Sequence, residues 1–304
     1  MYGYVIRRLV GIVPLVTLLS FVTFLLLKLA PGGPFDAERN VPAEVQRQLD
    51  AKFSLDAPWY EQFWNYMTAL LDGSLPSMKR PGLTVLEVIA EAFPTSLTLG
   101  LLALAFALVA GVTAGVIGAI RQNTVWDWST MSVALIGISV PNFVLGPILV
   151  LIFALGLGWL PPARWEGLDS MILPALTLGL AYAAYIARLT RAGLLDVIRS
   201  DFIRTARAKG LSESAVVIRH ALKGSLLPVV TFLGPATARI VTGTVVVEKI
   251  FQVPGLGYYF VQSALDRDYS MVLGVVTFYA ALLMLMNLFV DIAYTFLDPR
   301  VRLQ

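Results

Sequence analysis

Residues Leu9–Ala30 read LVGIVPLVTLLSFVTFLLLKLA, with Lys28 as the single charge. At about 1.5 Å rise per residue, a helix of this length covers the ~30 Å of bilayer hydrocarbon. Five further stretches of the same character follow: Thr95–Ile120, Ser129–Leu157, Met171–Leu189, Leu226–Val247 and Met271–Leu297. Prolines stand inside them at Pro14, Pro141, Pro147, Pro174 and Pro235, which membrane helices tolerate because neighbouring helices re-satisfy the freed carbonyls. The expected fold is an all-α polytopic membrane protein with six transmembrane helices, one transmembrane domain over residues 1–304. The Arg7-Arg8 pair before the first stretch suggests a signal peptide. The run is too long for one, and no small-x-small cleavage pattern precedes Pro31, so a retained first helix is expected.

Composition agrees with a membrane solvent. The chain is 57% hydrophobic and 14% charged, with a mean hydropathy of +0.75, where soluble domains carry about 25% charged residues. The net charge of +3 is spread over loops, so membrane lipid and not nucleic acid is the expected contact. Cysteine is absent and His220 is the only histidine. Disulfides, thiolate metal sites, cysteine nucleophiles and multi-histidine metal centres are thereby excluded. No catalytic residue and no metal ligand set is expected, and His220 reads as a hydrogen-bonding residue.

Charge asymmetry sets the orientation. With the N-terminus inside, the inner segments hold 13 Lys/Arg against 5 Asp/Glu, and the outer segments hold 8 against 14. Such a bias places both termini in the cytoplasm. The outer segment 31–94 then carries an amphipathic helix over Pro42–Phe53 and an aromatic run, Trp59, Tyr60, Phe63, Trp64 and Tyr66. Those rings suit the membrane interface, with a docking surface for an extracytoplasmic partner as the sharper alternative.

Inside, the segment 188–225 has its own punctuation. Ser200 or Asp201 caps a short helix through Phe202, Ile203, Arg204, Thr205, Ala206, Arg207 and Ala208 to Lys209, which Gly210 stops before Leu211. Ser212 caps a second helix, Glu213–Lys223. Two short helices about a glycine make an L-shaped protrusion, whose small residues Thr205, Ala206 and Ala208 let another backbone approach. Its basic residues give charge to orient that contact. An ordinary positive-inside loop explains the charge equally well.

The run from Phe202 to Leu211, followed by Arg219-His220-Ala221-Leu222 and Leu227-Pro228, resembles the cytoplasmic coupling loop of binding-protein-dependent ABC importer permeases. Within them it is most similar to the B-type subunit of oligopeptide and dipeptide (peptide/nickel) importers. The likeness runs over essentially the whole chain. It includes Leu29-Ala30-Pro31-Gly32, Gln122-Asn123-Thr124, Val253-Pro254-Gly255-Leu256-Gly257, Arg267-Asp268-Tyr269-Ser270 and Asp298-Pro299-Arg300. Where the general importer pattern has Glu-Ala-Ala, this chain has Arg204-Thr205-Ala206, a departure shared with the peptide branch.

The resemblance implies the type I importer permease fold and a pore-forming subunit for oligopeptides or dipeptides in a prokaryotic cytoplasmic membrane. Implied partners are a second homologous permease, two ATPase subunits carrying ATP and Mg, and an extracytoplasmic substrate-binding protein. The chain has no Gly-x-x-x-x-Gly-Lys-Ser/Thr run, so ATP hydrolysis is not expected here. The outer loop 248–270, with Val253, Pro254, Gly255, Leu256 and Gly257, is a gate candidate: a re-entrant seal, or a loop entering the binding protein. Arg239 and Asp291 are pore candidates, since a lipid-facing charge at mid-span costs at least ~2.5 kcal/mol; Arg239 pairing with Asp291 is the alternative. A permease for nickel or another small solute is a second reading. A secondary transporter is a third, although Asp291 is the lone acid within a span and no inverted repeat is apparent.

Overall fold

Lipid as solvent explains the first element. In the computed structural model, which describes residues 2–30, 32–35 and 43–297, helix α1 (Tyr2–Leu29) leaves Val10 66% and Val13 65% exposed. Pro31 and Asp298-Pro299-Arg300 lie outside the described residues. Among the described residues every regular element is helical: α2 (Ala43–Lys52), α3 (Trp59–Leu71), α4 (Val85–Ile120), α5 (Val125–Ser139), α6 (Asn142–Leu149) and α7 (Leu168–Ile198). There follow α8 (Asp201–Ala208), α9 (Glu213–Ala215), α10 (Leu222–Ser225), α11 (Leu227–Thr242), α12 (Val245–Phe251), α13 (Leu256–Leu265) and α14 (Tyr269–Leu297). Wider π turns extend α6 over Val150–Gly156 and join α9 to α10 over Val216–Ala221.

Four described helices, α1, α4, α7 and α14, are long and apolar enough to cross a bilayer alone, and six crossings result if two bent pairs each count once. The third expected span is thus not straight. Its two halves meet at 115°, because Val140 is extended (φ −87°, ψ 120°) before Pro141, whose ring disfavours helix in the residue ahead of it. A 53° bend between α10 and α11 lies at Leu226, just before Pro228 and at the first residue of the expected fifth span. That span is broken near its other end, between Thr242 of α11 and Val245 of α12. Helix α4 also begins ten residues earlier than the expected Thr95. Thr84 and Glu87 form a reciprocal capping box there, and Pro94 is carried inside the helix.

Helices α4 and α7 form the centre. On α4 a stripe at four-residue spacing, Ala103, Ala107, Gly111 and Gly115, meets Gly179, Ala183 and Ala187 on α7. A Cβ on Gly111 would lie 2.6 Å from the Ala183 carbonyl oxygen, one on Gly115 2.6 Å from that of Ala187, and one on Gly179 2.6 Å from that of Ala103. The two backbones therefore touch, which is how helices associate when lipid removes the hydrophobic drive between them. At the flank α1 and α14 run antiparallel, tied by Ser20 Oγ to Thr277 Oγ1 at 2.7 Å. Toward the α2–α3 end, Phe63 and Tyr66 of α3 pack edge-on or tilted against Phe21 and Phe24 of α1. Of the aromatic run expected at the interface, those two are buried in the fold, while Trp59, Tyr60 and Trp64 remain exposed.

Gly111→Leu is expected to destabilise the chain by about 1–3 kcal/mol through overpacking, read as a lower thermal midpoint in detergent. Gly11→Ala, whose Cβ meets nothing within 4 Å, is expected to leave the midpoint unchanged.

Candidate functional site

The protrusion expected from the caps is present. Ser200 is the N-cap of α8, without a side-chain cap bond, and its hydroxyl donates to Val197 O instead. Gly210 closes the helix with φ +78°, a left-handed conformation that glycine alone adopts without penalty. Ser212 caps the next turn, its Oγ accepting from Ala215 N at 3.4 Å. Across the glycine, Arg207 reaches Glu213 through two bonds, Nη2 to Oε1 at 2.6 Å and Nε to Oε2 at 3.1 Å. This fork holds the Glu213 carboxyl below the usual carboxylate range.

The two faces of α8 differ. Ile203 (0% exposed) and Ala206 (6%) point inward and pack with Ala119 of α4, Leu194 of α7 and Val216, Val217 and Ala221 of the following helix. Phe202, Arg204, Thr205, Arg207, Ala208, Lys209, Gly210 and Leu211 are exposed. Ala206 therefore does not belong to the surface of close approach; its small side chain fits α8 to the bundle. His220 is exposed.

At the opposite end of the bundle, the segment 248–270 turns inward. Val253, Gly255, Leu256 and Gly257 are buried, and only Pro254 of that motif is exposed. The reason is Glu248, a fully buried carboxylate on α12 whose Oε2 accepts from Gly257 N (2.7 Å) and Tyr258 N (3.1 Å) at the start of α13. Ser96 of α4 accepts from Leu256 N at 2.9 Å. A Cβ on Gly255 would fall 2.5 Å from the Glu248 Cδ, and one on Gly257 would strike the Val245 backbone. The glycines of this motif thus make room for a carboxylate-capped turn.

Two other separated motifs also meet. Asp268, 1% exposed, accepts from Ser77 Oγ, Met78 N and Lys79 N, and caps α14 through Met271 N at 3.0 Å. Its neighbour Tyr269 donates to Gly32 O at 3.0 Å. Asn123 N donates to Asp127 (3.0 Å), which is gripped in turn by Arg191 at 2.7 and 2.8 Å. The turn after α4 is thereby fixed to α7.

The pore candidates are not brought together. Asp291 pairs with Arg8 at 3.1 Å, so the expected alternative of an Arg239–Asp291 pair is not realised. Arg239 is exposed on α11 near Tyr182 and makes no ion pair among the described residues. It shares its side of the bundle with Phe232, whose ring lies 5.7 Å from Tyr185 and 6.4 Å from Tyr182. Among the described residues no group of three acidic, cysteine or histidine side chains could hold a metal.

This geometry has counterparts. Residues 111–303 match the family model "Binding-protein-dependent transport system inner membrane component", and residues 1–100 match the model of its N-terminal region. The chain belongs to that family. It is 46% identical to the oligopeptide transport system permease protein OppB of Haemophilus influenzae, over 99% of this chain and 100% of the relative. Identity to OppB of Escherichia coli K12 is 44%, over the same shares. With the dipeptide transport system permease protein DppB of Bacillus subtilis it is 41%, over 100% of this chain and 99% of that one. The fold is that of the type I ABC importer permeases. A chain of an amino acid ABC transporter solved with histidines superposes with a TM-score of 0.52 at 15% identity, over 70% of this chain and 94% of that one. A chain of the MetNI methionine ABC transporter, in an inward-facing form, gives 0.53 at 19% identity, over 69% and 96%.

Within this permease, sequence reasoning located the protrusion and the outer motif but missed what holds them, Glu213 and Glu248. Glu213, six residues after Arg207 and just past a helix-stopping glycine, was a usable signal; no local pattern announces Glu248. Glu248→Ala is expected to expose the Gly257 and Tyr258 amides to faster hydrogen exchange, at a cost of about 1–3 kcal/mol for the orphaned donors. Because the Glu213 carboxyl is depressed, the Arg207–Glu213 brace is intact above the ordinary carboxylate range and is lost as pH falls through the folded value. A spin label at Ala208→Cys is expected to gain mobility over that acid window, and Arg207→Gln to abolish the transition.

Proposed function

We propose that this chain is the pore-forming permease subunit of an ATP-driven, binding-protein-dependent importer of oligopeptides or dipeptides, and that α8 is its coupling lever. The observation that carries the reading is the exposed outer face of α8 on a chain similar from end to end to permeases named for oligopeptide and dipeptide transport. Partner ATPase subunits bind ATP and Mg, close on nucleotide and grip Phe202, Arg204, Thr205, Arg207 and Leu211. The inward pair Ile203 and Ala206 passes that motion to the ends of α4 and α7, and the bent pair α10–α11 passes it to the wall bearing Arg239. Rigid-body displacement of this kind switches access from one side to the other. The chain itself performs no covalent chemistry.

The path is completed by a second homologous permease, with Arg239, Tyr182, Tyr185 and Phe232 of this chain facing it. The Glu248-capped turn seals the outer mouth, under a docked substrate-binding protein. Both termini and α8 lie in the cytoplasm of a prokaryotic cell, as the distribution of Lys and Arg favours. The test is uptake of a labelled peptide by proteoliposomes holding the complete complex. Gly210→Val, which forces a β-branched residue into φ +78°, is expected to insert normally yet to lower peptide-stimulated ATPase activity and uptake at least about tenfold, a loss of ~1.4 kcal/mol or more in coupling. Normal coupled activity in that variant would remove α8 from the mechanism, and uptake without ATP would remove the ABC reading.

A further inference from the structure

Two arginines within helices apolar enough to cross a bilayer, Arg188 on α7 and Arg239 on α11, are exposed and make no ion pair or hydrogen bond among the described residues. Arg188 lines a cavity of about 380 Å³ between α5 and α7, together with Met131, Tyr185 and Leu189. Arg191 also borders this cavity, but its guanidinium is committed to Asp127 at 2.7 and 2.8 Å. The Tyr185 ring, 44% exposed, leads from the cavity to α11, where the Phe232 ring lies 5.7 Å away. Phe232 and Arg239 are seven residues apart and share a face of α11, and Arg239 lies close to Tyr182. On α7, Tyr182, Tyr185 and Arg188 are surface neighbours in steps of three. The result is a strip with a guanidinium at each end and rings between. Arg188 stands about 9 Å farther along α7 than Tyr182, toward α8.

We propose that Arg239 and Arg188 are successive binding positions for the C-terminal carboxylate of a passing peptide, with Tyr182, Tyr185 and Phe232 receiving its apolar side chains. The proposal rests on the reading of this chain as a peptide importer's permease and names what its path recognises. A charge within a membrane-crossing helix is costly against lipid and marks a substrate path when it is kept. The guanidinium fork matches a carboxylate in two parallel hydrogen bonds, and aromatic rings accept apolar side chains of many shapes. The terminal carboxylate is the acidic group common to all unmodified peptides, so its recognition serves substrates of differing sequence. Exposure keeps each arginine hydrated and its hold weak. A series of weak positions lets a substrate enter and also leave.

The test compares ATP-driven uptake of one labelled peptide with that of its C-terminal amide, both at saturating concentration, by the complete complex in proteoliposomes. Arg239→Gln and Arg188→Gln are each expected to lower the acid-to-amide rate ratio about tenfold, the factor that ~1.4 kcal/mol gives. The loss is expected in uptake of the acid, with uptake of the amide unchanged. Arg239→Lys, which keeps the charge without the fork, is expected to retain part of the ratio. The same binding protein serves every variant, so its own preference cancels from the comparison. A ratio unchanged in both glutamine variants would overturn the assignment and leave the permease reading in place. Equal slowing of acid and amide would also overturn it, giving the arginines instead to an acid of the second permease or to a lipid headgroup. Absence of ATP-driven uptake of either peptide by the unmutated complex would overturn the permease reading itself.

Discussion

The structure depends on the backbone contact between α4 and α7. Three glycines bring main-chain atoms of the two helices so close that no Cβ fits at Gly111, Gly115 or Gly179. In lipid, where apolar side chains gain nothing by leaving the solvent, this contact supplies the dispersion that a soluble core would obtain from burial. The remaining helices are arranged around it. Helix α5 lies against α7 through Ala134, Ala184 and Ala187, and α11 completes the packing through Val229 against Ala107 and Ile186.

The same contact decides how motion can travel. Ala119 near the end of α4 and Leu194 near the end of α7 both belong to the cluster that receives Ile203 and Ala206 of α8. The Asp127–Arg191 pair ties the turn after α4 to α7 on that same side. A push on α8 therefore meets a block of two helices that cannot slide past each other without steric conflict at the glycines. At the far end the polar fastenings are made by buried carboxylates: Glu248 closes α12 onto α13, and Asp268 joins the segment around Ser77 to the start of α14. Buried acids that accept from backbone N–H groups make stiff joints.

Much of this was legible in the sequence. Apolar length sets the crossings, and the caps with Gly210 set the α8 turn, because both are local properties of the chain. The early start of α4 was also written locally, in Thr84 and Glu87, but Pro94 masked it. The 115° bend before Pro141 could not be told from a tolerated proline, since whether a freed carbonyl is re-satisfied depends on neighbours. The glycine and alanine stripes carry a helical period, yet their pairing is a property of two distant segments. Glu248 was invisible as a cap, and Asp268 as a tie to Ser77, Met78 and Lys79, for the same reason: those donors become neighbours only in the fold. Tyr182, Tyr185 and Phe232 are legible one by one, while their grouping on the side of α11 that bears Arg239 is tertiary.

The most direct test of the account is a distance across the α4–α8 joint. The chain has no cysteine, so spin labels at Thr205→Cys on α8 and Gln122→Cys at the end of α4, both exposed sites, report without background. Pulsed electron resonance on the assembled complex should give one unchanged distance distribution with and without ATP, because α8 and the α4–α7 block move together. A nucleotide-dependent shift of that distance would contradict the account, since α8 would then move without carrying the helices it packs against.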